Sequence, residues 1–455
     1  MLRPHIVIMG AGFGGTYTAK KLARMVRRGK ADLTIVNKTN YFLFTPLLHE
    51  VATGSLSPRS VAEPLREIFR GTNVRIVQGD VVSIDRSART VKVNGGPTGE
   101  KCELKYDYLV IAAGAETNYY GIPGAKEYAM PLKSLADAVM VRSRIIDSFE
   151  RAVIEQDEAK RRTLLSFAVV GGGPTGVETA AELAEFARQM AERYYGRAHC
   201  RPENPRRCEP EEASVSIIHM GKELLEQFSH PLRQAAENRL RKDGVTLELG
   251  TAVTAVSPAG LSVQGPEGTG ARTIPAATVI WAAGVKPIVP RFTDGEPPLP
   301  TGRLPVDESF RLITKNRDQR SGDELAVDER IFALGDVAAY IDRIDAGSDS
   351  AKPKPLPQLA QVAKMESSVV ARNIKASITG KKLIRLAYRS KGSMVSVGQW
   401  FAVGEIYSIN IAGRLAWWLW RTVYLMKFAS WRKRIRIAFE WAYELISPRD
   451  ITKVI

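Results

Sequence analysis

A chain of 455 residues is too long for one hydrophobic core and calls for two or three domains. Its 44% hydrophobic and 25% charged residues are those of a globular protein, and a net charge of +16 asks where the cations lie. Three cysteines, Cys102, Cys200 and Cys208, make no disulfide framework and predict a reducing compartment. The first strand begins by residue 5, which leaves no room for a signal peptide, and no run of about 18 apolar residues exists to span a bilayer.

His5-Ile6-Val7-Ile8-Met9 predicts a strand. It feeds Gly10-Ala11-Gly12-Phe13-Gly14-Gly15, and a helical pattern follows over 16–25. Strand, glycine turn and helix are the context in which such a fingerprint predicts a dinucleotide site. The first glycine permits the tight turn, the second lets backbone approach a pyrophosphate, and the third packs helix on strand. The helix start then offers unpaired N–H groups and a partial positive charge. Glycine-rich turns also arise for steric reasons alone, so one such motif says little.

The pattern returns. Further strands end in Ala112-Ala113-Gly114, and a long polar helix is predicted over 134–158. Then Ser166-Phe167-Ala168-Val169-Val170 leads into Gly171-Gly172-Gly173-Pro174-Thr175-Gly176 and a helix over 177–190, and a later strand ends in Ala282-Ala283-Gly284. The chain carries an internal duplication, and two fingerprints in full context predict a flavin plus a nicotinamide. A third strand over 330–336 returns to the first domain, followed by a helix over 356–377. Segments 199–212, 317–328 and 342–354 read as polar excursions. His199, Cys200 and Cys208 supply three candidate ligands where zinc normally needs four, so no metal is expected.

Between Ile406 and Phe439 there is no Asp or Glu, but Arg414, Arg421, Lys427, Arg432, Lys433, Arg434 and Arg436 are present. Trp417, Trp418, Trp420 and Trp431 lie in the same stretch, and Trp441 follows. This mixture predicts a helix lying on anionic lipid. Spacing puts Arg414, Arg421 and Arg432 on one side, with a break in the helix because Leu425 and Phe428 fall near it. The other reading is a tryptophan-rich core or dimer-interface helix.

Asn40-Tyr41-Phe42-Leu43-Phe44-Thr45-Pro46-Leu47-Leu48 with Val51-Ala52-Thr53-Gly54, Gly171 through Glu178, Leu334-Gly335-Asp336, Ala360-Gln361, and Lys391-Gly392 ahead of Val397-Gly398 together resemble the type II NADH dehydrogenases. These are single-subunit NADH:quinone oxidoreductases, and the resemblance runs from about residue 5 to the tail. It implies an α/β fold of two Rossmann-like dinucleotide-binding domains, like glutathione reductase, plus C-terminal amphipathic membrane-anchoring helices. Residues 1–125 and 296–380 would form the FAD domain, 126–295 the NAD(P)H domain, and 381–455 the membrane and dimer region. The implied activity is non-proton-pumping transfer from NAD(P)H through non-covalent FAD to a membrane quinone. The implied setting is a homodimer on the cytoplasmic face of the inner membrane, peripheral and monotopic, with no nucleic acid partner.

The resemblance also assigns residues. Gly10, Gly12, Phe13, Gly14 and Gly15 would hold the FAD pyrophosphate, with Asn37 and Lys38 at the ribose, Asn37 replacing the usual acid. Val82, Ala113, Gly114, Gly335 and Asp336 would complete that site, Asp336 either binding the ribityl chain or capping a helix. Gly171, Gly173, Pro174, Thr175, Gly176 and Gly284 would hold the nicotinamide dinucleotide. Glu178 would contact the carboxamide or pass protons to quinone, or else merely complement the helix dipole. His219 stands where an acid normally reads the 2′-hydroxyl, so either NADPH is accepted or NADH relies on other contacts. Pro46, Gln361, Met365 and Lys391 would line the quinone site, and Met365 replaces a second Gln that is common there. Glu178 and Gln361 are the catalytic candidates. A sulfide:quinone oxidoreductase would need cysteines near the flavin turns, where the sequence has none. A non-catalytic, dinucleotide-sensing flavoprotein stays open because Asn37, His219 and Met365 depart from the pattern.

Overall fold

The computed structural model describes residues 3–453, apart from 97–98, 196–211, 267–269, 296, 298, 300–301, 316–324, 341–354, 391 and 429. The longer helices in chain order are α1 (Phe13–Arg27), α2 (Leu135–Ile154), α3 (Pro174–Arg193), α4 (His230–Lys242), α5 (Ala360–Thr379), α6 (Arg414–Lys427) and α7 (Trp431–Glu444). The chain divides into two units, each assembled from three stretches. Unit 1 is Met1–Leu43, Glu63–Glu116 and Val285–Arg389; unit 2 is Phe44–Ala62, Thr117–Gly284 and Ser390–Ile455.

In unit 1 the main sheet runs Arg311–Lys315, Leu325–Ala333, Tyr108–Ile111, His5–Met9, Asp32–Asn37, Arg75–Asp85, Thr90–Gly95, Glu100–Lys105. The strands from Leu325–Ala333 to Arg75–Asp85 are parallel, and antiparallel pairs close both edges. Ile6, Val7 and Ile8 of the central strand are wholly buried, as a parallel strand covered on both faces requires. α1 and α5 pack against each other.

Unit 2 repeats the plan with Ala129–Pro131, Thr278–Trp281, Ser166–Val170, Ser214–His219 and Val245–Leu249, all parallel. An antiparallel meander over Ala252–Ser257, Gly260–Gln264 and Ala271–Pro275 packs on this sheet through Val256, Leu261 and Val263. α2 starts at a capping box in which Ser134 and Asp137 satisfy each other's backbone N–H groups. Ser393–Ser396, Ala402–Ile406 and Ile409–Gly413 form a second antiparallel sheet and lead into α6 and α7.

The helix break falls between Lys427 and Trp431, as the sequence predicts. The inward side differs from expectation. Trp417, Trp420 and Trp441 are buried, and so is Arg421, whose guanidinium lies 4.0 Å from the Trp417 ring and 4.9 Å from that of Trp441. Arg421 does not share a wet side with Arg414 and Arg432. It is held between indoles and pairs at 3.3 Å with Glu444, which lies just beyond the acid-free stretch. The outward side carries its own apolar stripes: Leu415, Trp418, Leu419 and Met426 on α6, and Trp431, Ile435, Phe439 and Tyr443 on α7.

Burying three indoles in unit 2 contributes on the order of 10 kcal/mol by area. A chain cut after Arg389 is therefore expected to lose protease resistance throughout 117–284, while a flavin-sized ligand still protects unit 1. Limited proteolysis followed by mass mapping reads this directly. Equal resistance in the truncated and full-length chains would make the tail an appendage.

Candidate functional site

The two glycine turns are built alike. A Cβ on Gly10 (φ +93°) would collide with the Ala112 carbonyl oxygen, and one on Gly15 with the carbonyl oxygen of Gly10. In unit 2 a Cβ on Gly171 (φ +118°) would lie 2.7 Å from the Ala282 oxygen, and one on Gly176 would strike the carbonyl oxygen of Gly171. The repeated Ala-Ala-Gly thus has a physical cause: its first carbonyl is the wall against which the first glycine turns. The middle glycines are different. Nothing lies within 4 Å of a Cβ placed on Gly12 or Gly173, which leaves the open space a pyrophosphate needs. Gly12 and Gly173 are also the N-caps of α1 and α3, and neither helix has a side-chain cap, so their first-turn N–H groups are left for a ligand. Pro174 and Thr175 open α3, where proline forfeits no hydrogen bond. Phe13 and Gly14 open α1, Phe13 set edge-on to Phe42 at 5.1 Å and Gly14 close to Leu334. Both turns fit the diphosphate of a dinucleotide.

Around the first turn, Asn37 accepts from the Ala11 N–H at 2.8 Å and donates to the carbonyl and hydroxyl of Thr39 at 2.9 and 3.0 Å. It braces the turn and keeps one oxygen lone pair for a hydroxyl. Lys38 pairs with Asp80 at 3.1 Å in solvent. Val82 is half exposed at a bulge of its strand. Gly114, beside Ala113, has positive φ and open space, whereas its counterpart Gly284 is covered by the Tyr120 hydroxyl.

Gly335 donates to buried Glu366 at 2.6 Å, and Gln358 donates to the Asp336 carbonyl at 2.9 Å. Asp336 lies inside the short turn Gly335–Val337 and is the N-cap of no helix among the described residues; the N-cap of α5 is Leu359, without a side-chain hydrogen bond. Gln361 and Met365 sit one turn apart at the start of α5, both partly exposed. Burial pushes Glu366 up to about 7, against the pull of the Gly335 N–H. Lys391, Cys200, Cys208 and His199 lie outside the described residues. Cys102 is exposed on the outer strand Glu100–Lys105 of unit 1.

At the second turn the His219 ring lies against Gly172, where a Cβ would come within 2.6 Å of it. Burial lowers its pKa, although Glu226, 3.9 Å away, opposes that shift. An acid therefore lies beside His219, supplied from seven residues later in the chain. Only the fold-back of the loop reveals it.

Glu178, in the first turns of α3, is buried. The Ser396 N–H donates to it at 3.3 Å, and His49 Nδ1 lies 3.8 Å away. Burial raises Glu178 well above the usual carboxylate range, and burial holds His49 down to about 3. His49 is therefore neutral and forms no ion pair with Glu178. Next on the same stripe comes Glu182, bound by Arg449 at 2.6 Å and by the Ser55 hydroxyl at 3.3 Å. Arg449 also reaches Glu444 at 3.3 Å and Glu185 at 3.7 Å. Glu50 accepts from the Trp441 indole at 2.7 Å. Four buried carboxyls, Glu50, Glu178, Glu182 and Glu444, thus face two buried guanidiniums, Arg421 and Arg449. With more carboxyls than guanidiniums, some of the acids must carry protons. Burial accordingly pushes Glu50 up to about 8 and Glu182 up to about 7, the latter against the pull of Arg449. The i, i+4 spacing of Glu178 and Glu182 was a readable signal. Nothing local announced Arg449.

A carboxyl raised on folding stabilises below its unfolded pKa, and that contribution is lost as pH rises through the folded value. Glu50 spans about 4.5 to about 8. Glu50→Gln should match wild type near pH 5 and exceed it near pH 8.5, by at most about 5 kcal/mol. Urea midpoints at both pH values test this. A difference that does not change with pH would remove Glu50 from the account.

A family model described as pyridine nucleotide-disulphide oxidoreductase matches residues 4–367, and one described as the NDH2 C-terminal domain matches residues 390–450. The type II NADH:quinone oxidoreductase Ndh of Mycobacterium tuberculosis is 32% identical over 98% of this chain and 89% of its own length. An external alternative NAD(P)H-ubiquinone oxidoreductase B1 of Solanum tuberosum mitochondria is 27% identical over 99% of this chain and 91% of its own. Among solved structures, NDH2 from Plasmodium falciparum in complex with NADH shares the fold, with a TM-score of 0.84 at 22% identity, over 99% of this chain and 100% of that one. With both fingerprints and the C-terminal region accounted for, the chain belongs to the pyridine nucleotide-disulphide oxidoreductases and, among them, to the type II NADH:quinone oxidoreductases.

Proposed function

We propose that this FAD-dependent NADH:quinone oxidoreductase holds FAD on the unit 1 turn and the nicotinamide dinucleotide on the unit 2 turn. The observation that carries the assignment is the repeated cradle: two obligatory glycines, an open middle glycine and an uncapped helix start, in each unit. Bound FAD supplies hydride acceptance and onward two-electron transfer. The chain supplies position and protons. Gly10, Gly12, Phe13, Gly14 and Gly15 receive the FAD diphosphate, Asn37, Lys38 and Val82 its adenosine end, and Ala113, Gly114, Gly335 and Asp336 the ribityl and flavin end. Gly171, Gly173, Pro174, Thr175, Gly176 and Gly284 receive the nicotinamide dinucleotide. Gln361 orients the quinone by donating to a carbonyl, Pro46 and Met365 meet its apolar part, and Lys391 belongs to the same group by resemblance. Glu178, whose carboxyl burial raises well above the usual carboxylate range, delivers a proton to the reduced quinone.

The outward stripes of α6 and α7, with Arg414 and Arg432, suit a lipid surface rich in anionic headgroups. Quinone is a membrane solute, so peripheral attachment at the cytoplasmic face of the inner membrane, as a homodimer, follows the same reading. Among the described residues no helix is long and apolar enough to cross the membrane.

Stopped-flow absorbance separates the two half-reactions. NADH should bleach the bound flavin, a short-chain quinone should restore its colour, and acid precipitation should release the flavin into the supernatant. Gln361→Ala should slow recolouring at least about tenfold and leave bleaching within about twofold. Equal loss in both halves would take Gln361 away from the quinone.

Cofactor choice turns on His219 and Glu226. His219→Glu places a second carboxylate where a 2′-phosphate would lie and should raise preference for NADH by about ten- to a hundredfold. Glu226→Gln should shift the ratio towards NADPH. Specificity constants for both dinucleotides check this, and ratios unmoved by either change would show that neither side chain reads the ribose.

A further inference from the structure

Quinone reduction by NADH consumes a proton from water: NADH + H⁺ + Q gives NAD⁺ + QH₂. NADH supplies both electrons and one hydrogen as hydride, so each turnover must draw one proton from solvent. Glu178, the donor assigned above, is buried and cannot be recharged directly by bulk water.

Unit 2 contains a route for that proton. Glu178, Glu182, Glu185 and Gln189 fall at i, i+4, i+7 and i+11 on α3, a single stripe. The last stretch of the chain covers this stripe. The Ser396 N–H meets Glu178, the Gln399 N–H meets Glu185, and Arg449 meets Glu182 through its side chain and Gln189 through its N–H. Ser55 and Arg449, both bonded to Glu182, also line a cavity of about 360 Å³ together with Arg142, Glu440, Glu444 and Asp450. Glu182 therefore stands one residue from a cavity that several charged side chains line, and one helical turn, about 6 Å along the axis, from Glu178.

We propose that Glu182 is the proton port of the quinone reaction, taking a proton from the Arg449-lined cavity and returning it to Glu178 after each quinol forms. The proposal rests on the role given to Glu178. The step breaks an O–H bond in the cavity and forms one on the Glu182 carboxylate; the same proton then moves to the Glu178 carboxylate, and no electrons move. A buried pair that only pinned the tail would need one carboxylate per guanidinium. Here Glu182, Glu185 and Glu444 converge on Arg449, so Glu182 can gain or lose a proton while Arg449 stays paired. Around Glu182 the titratable and charged groups are Arg449, Arg421, Glu185, Glu444, Glu50 and Glu178. Around Glu178 the titratable groups are His49, Glu50, Glu182 and Tyr424, with Trp420 beside them. Burial lifts the Glu182 carboxyl toward neutrality, as a port requires.

The test uses the full chain with bound flavin and a short-chain quinone. Glu182→Gln keeps the acceptor for Ser55 and Arg449 but carries no exchangeable acid. It should slow flavin recolouring about ten- to a hundredfold at pH 8, enlarge the solvent deuterium effect, and leave bleaching by NADH unchanged. A small weak acid added to the buffer should restore the rate, and Glu182→Asp should keep most of it. Infrared titration of the resting protein gives a readout free of turnover: a carboxylic acid band that titrates near neutrality should vanish in Glu182→Gln. If that variant does not fold, Ser55→Ala should show the same isotope and rescue behaviour with a smaller loss. Recolouring at the wild-type rate from pH 6 to 9, or slowing that no weak acid rescues with the band unchanged, overturns the port. Glu178→Gln is measured beside it. Slow Glu178→Gln with normal Glu182→Gln removes only the port, whereas normal Glu178→Gln removes both the donor and the port.

Discussion

The contact between the α-carbon of Gly176 and the carbonyl of Gly171 governs unit 2. No side chain fits between them, so α3 starts in van der Waals contact with the strand that precedes it. That contact fixes the helix axis, and with it the direction in which Glu178, Glu182, Glu185 and Gln189 project. Gly15 and Gly10 impose the same constraint on α1 in unit 1. What differs between the units is what the helix then meets. α1 meets α5. α3 meets a segment more than 200 residues later in sequence, whose arginine enters a row of carboxylates.

That row explains why the C-terminal stretch is so rich in tryptophan. A guanidinium taken out of water needs carboxylates and a polarisable surround. Arg421 receives Glu444 together with the faces of Trp417 and Trp441. Trp441 in turn gives its N–H to Glu50. The indoles thus serve packing and charge together, and α6 and α7 keep separate apolar residues for their outer faces.

Local chemistry was legible in the sequence and long-range pairing was not. Both glycine turns, both Ala-Ala-Gly ends, α1, α3 and the break before Trp431 follow from steric rules acting within a few residues. The burial of Arg421 does not, because a count of acids between residues 406 and 439 cannot see Glu444 just past its edge. Glu226 escaped for the same reason, as it reaches His219 only through a loop that folds back. The distance from Glu182 to Arg449 along the chain hides the most charged part of unit 2 entirely. Asp336 shows the opposite case: two local readings were open, and its place inside Gly335–Val337 removed the capping one.

The weaving of each unit from three stretches bears on how the protein is made. Unit 1 has all its strands once residue 389 is synthesised, whereas unit 2 still lacks Trp417, Trp420, Trp441 and Arg449. Until then the acidic row on α3 has no counter-charge, and its apolar neighbours lie open to the solvent. A nascent chain paused between residues 284 and 390 would therefore be a target for chaperones that hold exposed apolar surface. The helices with outward-facing tryptophan and phenylalanine are also among the last to emerge. The outward apolar stripes of α6 and α7 are completed at about the time the interior charges of unit 2 become balanced.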